Sequence, residues 1–237
     1  MDKPFIFKQF TIKQDRCAMK IGTDAVLLGA WTPLNDRPST ILDIGAGTGV
    51  LSLMMAQRSE AETLDALEID GNAYEQCVEN FENSVWADRL FCYHASLQEF
   101  AEGIDTKYDL IICNPPFYSE DYKTNSPKRN KARFQDAMPF EHIVKSISVL
   151  MAKNGGLSII LPFLEEDRFI KIATKIGLEP KNICRVRGNI SSEIKRSLIY
   201  FTYSKIETEI TEMTIEISRH KYTKEYFNLT KDFYLKM

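Results

Sequence analysis

Three short runs in the sequence carry residue types suited to chemistry. The most specific is Asn114-Pro115-Pro116-Phe117-Tyr118, directly after the apolar stretch Tyr108 to Cys113. Adjacent prolines fix φ and present carbonyls with no competing N–H. Asn114 adds a side-chain carbonyl acceptor beside its amide donor. Together, Asn114 and Pro115 can hold an sp² amino group by both its hydrogens. Phe117 offers a flat face on which a planar ring can stack, and Tyr118 extends that surface. A proline turn followed by a core aromatic would account for Pro115 and Pro116, but not for the whole constellation.

The second run is Asp43-Ile44-Gly45-Ala46-Gly47-Thr48-Gly49, between an apolar strand and a helix. Glycines let backbone approach a ligand closely, and a helix N-terminus offers free N–H groups. A dinucleotide site wants G-x-G-x-x-G or G-x-G-x-x-A. Gly45 and Gly47 fit, but the last position is Val50. Asp43 at the strand end would repel a pyrophosphate and welcome an ammonium. S-adenosylmethionine carries an ammonium beside its sulfonium. The third run is Leu67-Glu68-Ile69-Asp70. Glu68, at a strand end, can accept from both ribose hydroxyls of an adenosine, while Asp70 can cap the following helix.

These residues need elements that bring them together. From Thr40 onward, short apolar strands alternate with amphipathic helices. The strands read as 41–44, 63–69, 90–94, 110–113 and 157–161, and the helices as 50–58, 72–83, 140–151 and 165–176, the last stopped by Gly177. Such alternation predicts an α/β fold with a parallel sheet covered by helices on both faces. Residues 183–186 and 198–203 follow with only a short polar link, which suits an antiparallel pair. Residues 208–217 alternate again, and the tail 221–237 is aromatic and charged. Upstream, residues 5–12 suit a short strand or hairpin arm. Thr23 and Asp24 are placed to cap a helix through Trp31. The whole chain, 1–237, reads as one domain: an N-terminal extension to 38, a core over 40–204, and a C-terminal strand and tail over 205–237.

The run from Ser119 to Pro139 has no clear period, and long loops in compact domains are commonly functional. It carries Lys123, Lys128, Arg129, Lys131 and Arg133 with no acid from Lys123 to Arg133. Lys128, Arg129 and Lys131 are the candidate phosphate contacts. A second basic group is Arg185, Arg187, Lys195 and Arg196. Either stretch alone would equally suit a solvated face. The net charge of −3 neither announces nor excludes a nucleic-acid partner. No apolar run reaches about 18 residues, so no membrane span is expected. Residues 1–10 lack an apolar signal core, which makes the cytoplasm the default compartment. The five cysteines contain no CxxC pair and suit reduced core thiols. The three histidines lack metal-ligand spacing, so no metal is expected.

DIGAGTG, LEID and NPPF at successive strand ends resemble the class I S-adenosylmethionine methyltransferases, specifically the amino-group methylating set. The resemblance covers residues 40–204 and implies a Rossmann-like, seven-stranded, mostly parallel sheet with an antiparallel strand near the C-terminus. Residues 19–31, MKIGTDAVLLGAW, together with NPPFY, are similar to a narrower family. This is the bacterial tRNA(Val) adenine-N6 methyltransferases, which act at adenine 37. The resemblance implies S-adenosylmethionine as cofactor and tRNA as partner. It places Asp43, Gly45, Gly47, Gly49, Glu68 and Asn114 at the cofactor, and Asn114, Pro115 and Phe117 at the target amine. One departure concerns the third strand end, where many class I enzymes place an acid against the cofactor adenine. Ser96 stands there, so the contact would pass to it or to backbone. The chain is read as a monomer. A protein glutamine N5-methyltransferase, a DNA adenine methyltransferase, a nicotinamide dehydrogenase and a non-catalytic RNA-binding module are the competing readings.

Overall fold

In the computed structural model, residues 3–34, 36–116 and 139–236 are described. The first strands, β1 (Phe5–Ile6) and β2 (Thr11–Ile12), form a small antiparallel hairpin. Helix α1 (Thr23–Trp31) follows. Then come β3 (Thr40–Ile44), α2 (Val50–Arg58), β4 (Thr63–Glu68), α3 (Gly71–Glu82), β5 (Leu90–His94), α4 (Leu97–Gly103) and β6 (Tyr108–Cys113). After residue 138 the chain continues as α5 (Phe140–Leu150), β7 (Met151–Pro162), α6 (Glu166–Ala173), β8 (Glu179–Asn189) and β9 (Ile194–Thr202). Strands β10 (Glu209–Ser218) and β11 (Lys221–Tyr222) and helix α7 (Lys224–Thr230) complete it.

The main sheet runs β11-β10-β8-β9-β7-β6-β3-β4-β5. Seven of these strands, β5 through β8 in that order, form the expected layer, with β9 antiparallel to both its neighbours. Strands β10 and β11 extend that layer to nine. Both faces are covered. On β3, Ile41 joins the core beneath α1, α2 and α3, whereas Leu42 and Ile44 join the core beneath α4, α5 and α6. Burial on two faces explains why these strands are continuous apolar runs.

Order and register fix the centre of the fold. The chain builds β3, β4 and β5 to one side, then returns to lay β6 against the other side of β3. The reversal leaves a crevice beyond the carboxyl ends of β3 and β6, the usual ligand position in such sheets. Ile44 pairs with Cys113 on β6 and with Leu67 on β4. The glycine-rich run, Glu68 and Asn114 therefore emerge side by side.

Three sequence expectations are corrected. Thr23 and Asp24 are the first residues of α1 and cap nothing; Gly22 is the N-cap, without a side-chain bond. Asp24 instead pairs with Arg196 at 2.8 Å. Strand β7 begins at Met151, because Gly155 and Gly156 continue the extended chain rather than break it. Helix α4 was not anticipated. Its seven residues are too few to show a period, and its signal was the Ser96–Glu99 capping box.

Candidate active site

The run from Gly45 to Gly49 turns on three left-handed glycines, with φ of 73°, 55° and 78° at Gly45, Gly47 and Gly49. Among the described residues, nothing lies within 4 Å of where a Cβ on Gly45 or Gly47 would stand. At Gly49 a Cβ would meet Phe81 Cε1 at 2.5 Å and Cys77 Sγ at 2.9 Å. The first two glycines thus keep a cradle open, whereas the third lets the loop settle on α3.

Asp43 is buried on the α2 side of the sheet. Its Oδ2 accepts from the Ser52 amide at 3.1 Å and the Ser52 hydroxyl at 2.8 Å. It therefore caps α2 from the strand, where Gly49 has no side chain to do so. Its Oδ1 is buried and has no hydrogen-bond partner among the described residues. Burial raises this carboxyl to about 7, with the Ser52 hydrogen bonds pulling the other way. An acceptor left bare at that depth suits an incoming cation.

Glu68 accepts from the Gly47 amide at 2.7 Å through Oε2 and from the Asp70 amide at 2.8 Å through Oε1. It shapes the cradle before any ligand arrives. Each oxygen keeps a second acceptor site for a hydroxyl donor. Asp70 caps α3 through the Ala73 amide at 2.8 Å. Ser96 caps α4: its hydroxyl lies 2.7 Å from Glu99 Oε2 and 3.2 Å from the Glu99 amide. That hydroxyl donates once and accepts once within the cap, which leaves it one further acceptor site.

Asn114 and Pro115 follow β6 directly, Asn114 half-buried and Pro115 buried. Phe117, Tyr118, Lys128, Arg129 and Lys131 lie outside the described residues. The arginines of the other basic group are held in ion pairs, whereas among the described residues Lys195 meets only an exposed acid. Arg185 binds buried Glu166 at 2.7 Å, Arg196 binds Asp24, Arg187 binds Glu212, and Lys195 lies 3.6 Å from Glu193.

Two residues at the site were missed in the sequence. Ile69 is 64% exposed beside Glu68, an apolar face at the mouth of the cradle. Its signal was an apolar residue between a strand-end acid and a helix cap. Asn80 is buried beneath the loop and bonds to the Thr48 carbonyl at 2.8 Å. Nothing in its neighbourhood in sequence marked it.

Open glycines, a bare buried acceptor, a second carboxylate and an apolar shelf together fit an adenosine bearing an ammonium group. S-adenosylmethionine answers that description.

Comparison with known proteins places this arrangement in context. Residues 20–137 match the family model described as "Methyltransferase small domain". The chain is 58% identical over 98% of its length to the whole of a protein from Flavobacterium psychrophilum named tRNA1(Val) (adenine(37)-N6)-methyltransferase. A Bacteroides fragilis protein of the same name is 42% identical, with full coverage of both chains. Among solved structures, one described as a predicted O-methyltransferase from Agrobacterium tumefaciens superposes with a TM-score of 0.64 at 20% identity. That match covers 89% of this chain and 96% of the other, and it speaks for the fold alone.

Proposed function

The chain belongs to the tRNA1(Val) (adenine(37)-N6)-methyltransferase family, and on that premise we propose how its own residues divide the work. It is an S-adenosylmethionine-dependent enzyme that methylates N6 of adenine in tRNA, and the proposed target is adenine 37 of tRNA1(Val). The observation that carries the assignment of roles is the register of β3, β4 and β6, which sets Gly45, Glu68 and Asn114 at one crevice.

S-adenosylmethionine brings a methyl group already activated as a sulfonium. Asp43 Oδ1 would take its ammonium, Gly45 and Gly47 would let it approach the backbone, and Gly49 seats the loop on α3. Glu68 would take ribose hydroxyls, while Ile69 and the strand end at Ser96 would meet its adenine. The chain's own task would then be to hold the target amine in position against that methyl group.

The substrate amine is a poor nucleophile because its lone pair is delocalised into the ring. In the proposal, its two N–H groups donate to the Asn114 side-chain oxygen and the Pro115 carbonyl. Those bonds favour the more tetrahedral nitrogen and stabilise the positive charge that develops on it. The methylated nitrogen then loses a proton to water, a step that needs no dedicated base. The base must leave its stack to reach the crevice, and Phe117 and Tyr118 receive it. Lys128, Arg129 and Lys131 hold phosphates. Neutralising all three should weaken tRNA binding and flatten its salt dependence by roughly 0.7–0.9 in log–log slope per lost contact.

The test is direct. The protein, S-adenosylmethionine and total tRNA are incubated, with DNA and release-factor protein in parallel. RNA is then digested to nucleosides for mass spectrometry. N6-methyladenosine at position 37 of tRNA1(Val) is the expected product. N1-methyladenosine, a methylated guanine or a methylated glutamine would sink the substrate assignment and leave the cofactor assignment standing.

A further inference from the structure

The geometry points to a second RNA subsite at the far end of the sheet, where an aromatic slot takes one unpaired base and the β10–β11 hairpin tip holds adjacent phosphates. The inference rests on the tRNA reading above and adds to it a surface that no methyl-transfer residue lines.

The slot is a surface pocket of about 460 Å³, within the range of small-molecule sites. Two ring pairs line it. Phe5 and Tyr234 stand edge to face with centroids 6.1 Å apart, and Tyr222 and Tyr226 lie 5.3 Å apart. Gly188 adds a wall without a side chain, and Glu216 is the acid among the lining residues. Tyr226 is buried beneath the slot, while Phe5, Tyr222 and Tyr234 are half-buried and supply its accessible ring surface, on which a nucleobase can stack.

Charge sorts what enters. At the hairpin tip, Arg219, His220 and Lys221 are all exposed. His220 turns the chain at φ 64°, and its amide donates to Glu216 Oε1 at 3.3 Å. Neither Arg219 nor Lys221 has an ion-pair partner among the described residues. This contrasts with Arg185, Arg187 and Arg196, each held by an acid. Two cations without an ion pair of their own suit a phosphate backbone, with the Glu216 carboxylate tucked beneath the tip. The Glu216 carboxylate repels phosphate from the slot but accepts from an exocyclic amino group, as acids do toward cytosine. The slot therefore favours adenine, cytosine or guanine over uracil.

Position completes the argument. Strand β10 is parallel to β8, and through β9 both run with β7 and β6. The tip and Asn114 therefore lie toward the same carboxyl edge, four strand steps apart. Pairing across those strands sets Cys113 level with Ile210, so the tip also projects well beyond the end of β6. Four steps of about 4.8 Å and eight residues of about 3.3 Å put the two roughly 30 Å apart, so they would meet different parts of one stem-loop.

The experiment measures binding of a fluorescent anticodon stem-loop of the substrate tRNA across a salt series. Arg219→Ala with Lys221→Ala should weaken binding and reduce the log–log salt slope by roughly 0.7 per lost contact. S-adenosylmethionine affinity and melting temperature should not change. Tyr222→Ala should weaken binding about 5- to 100-fold, the range that stacking contributes, and Tyr222→Phe should restore it. With full tRNA, KM should rise while kcat holds. Wild-type affinity in both the tip variant and Tyr222→Ala would overturn the subsite and leave the methyltransferase reading intact. Failure of the wild-type protein to bind any stem-loop would overturn both.

Discussion

Asn80 Nδ2 donates to the Thr48 carbonyl at 2.8 Å, so helix α3 grips the glycine-rich loop from beneath. The same nitrogen lies 2.9 Å from the Lys13 carbonyl, and Asn80 Oδ1 accepts the Lys13 amide at 2.9 Å. One buried carboxamide thus ties the N-terminal segment and the cofactor loop to the same helix. Arg16 reinforces the tie, its amide donating to Gln76 at 3.2 Å.

Asn80→Ala leaves these buried groups unpaired, at about 1–3 kcal/mol for each. A chain of this size loses roughly 2–4 °C of melting temperature per kcal/mol. We expect a clearly lowered melting temperature by calorimetry, together with weaker S-adenosylmethionine binding, because both segments lose their anchor. A variant with normal melting and normal affinity would show that the tie is incidental.

The Asp43 carboxyl gives a pH dependence with two opposite signs. The unfolded chain sheds this proton near pH 3.9, whereas burial holds it to about 7 in the fold. Between those values the folded state binds more protons, so stability is full below about pH 4 and falls as pH rises toward 7. Asp43→Asn should flatten that slope in thermal melts. Cofactor affinity should run the other way, because an ammonium needs the ionised carboxylate. It should climb through pH 7, then fall above about 8 as the cofactor's own amine loses its charge. Calorimetric titration across pH 6–9 would contradict the Asp43–ammonium contact if affinity proved flat.

Three glycines of one loop should fail in different ways. Alanine at a left-handed φ carries about 1–2 kcal/mol of strain. Gly45→Ala and Gly47→Ala add only that strain to folding, but their methyls enter the open cradle. They should melt near normally and bind S-adenosylmethionine poorly. Gly49→Ala drives a methyl into Phe81 and Cys77, so its melting temperature should fall furthest. Equal melting temperatures across the series would contradict this division.

Asn114→Ala should lower kcat by about 10²–10³, the loss seen when one group aimed at developing charge is removed. S-adenosylmethionine affinity should stay near normal. Asn114→Asp, which keeps an acceptor oxygen, should retain more activity than the alanine variant. Single-turnover assays with saturating tRNA separate these outcomes from weaker binding.

Much of this was legible in the sequence because the parallel sheet writes itself plainly. Strands buried on two faces are unbroken apolar runs, and the residues at their ends stand out as Asp43, Glu68 and Asn114. What escaped had other causes. Asn80 acts across 32 residues through a side chain, and no local pattern encodes such a bond. Ser96, read as a ligand residue, also caps α4, because strand ends and helix caps use the same small polar side chains. Arg185, Arg187 and Arg196 looked like a cationic patch, yet their acids, Glu166, Glu212 and Asp24, come from distant parts of the chain. The alternation over 208–217 marked β10, but no local pattern tells that β10 and β11 extend the main sheet beyond β8, with much of β10 exposed.

The pairing of Ile44 with Cys113 also governs how the chain tolerates insertions. Adding one residue to β6 reverses every side chain beyond it, since facing alternates at each step. The sheet would still find apolar partners on both sides, because β6 is buried on both faces. Asn114 would nonetheless lose its facing, and a folded protein without methyl transfer would result. Adding two residues restores the facing but lengthens the strand by about 6.6 Å. Loops that join the strands at the opposite edge have no such bond to the chemistry, and length can vary there freely.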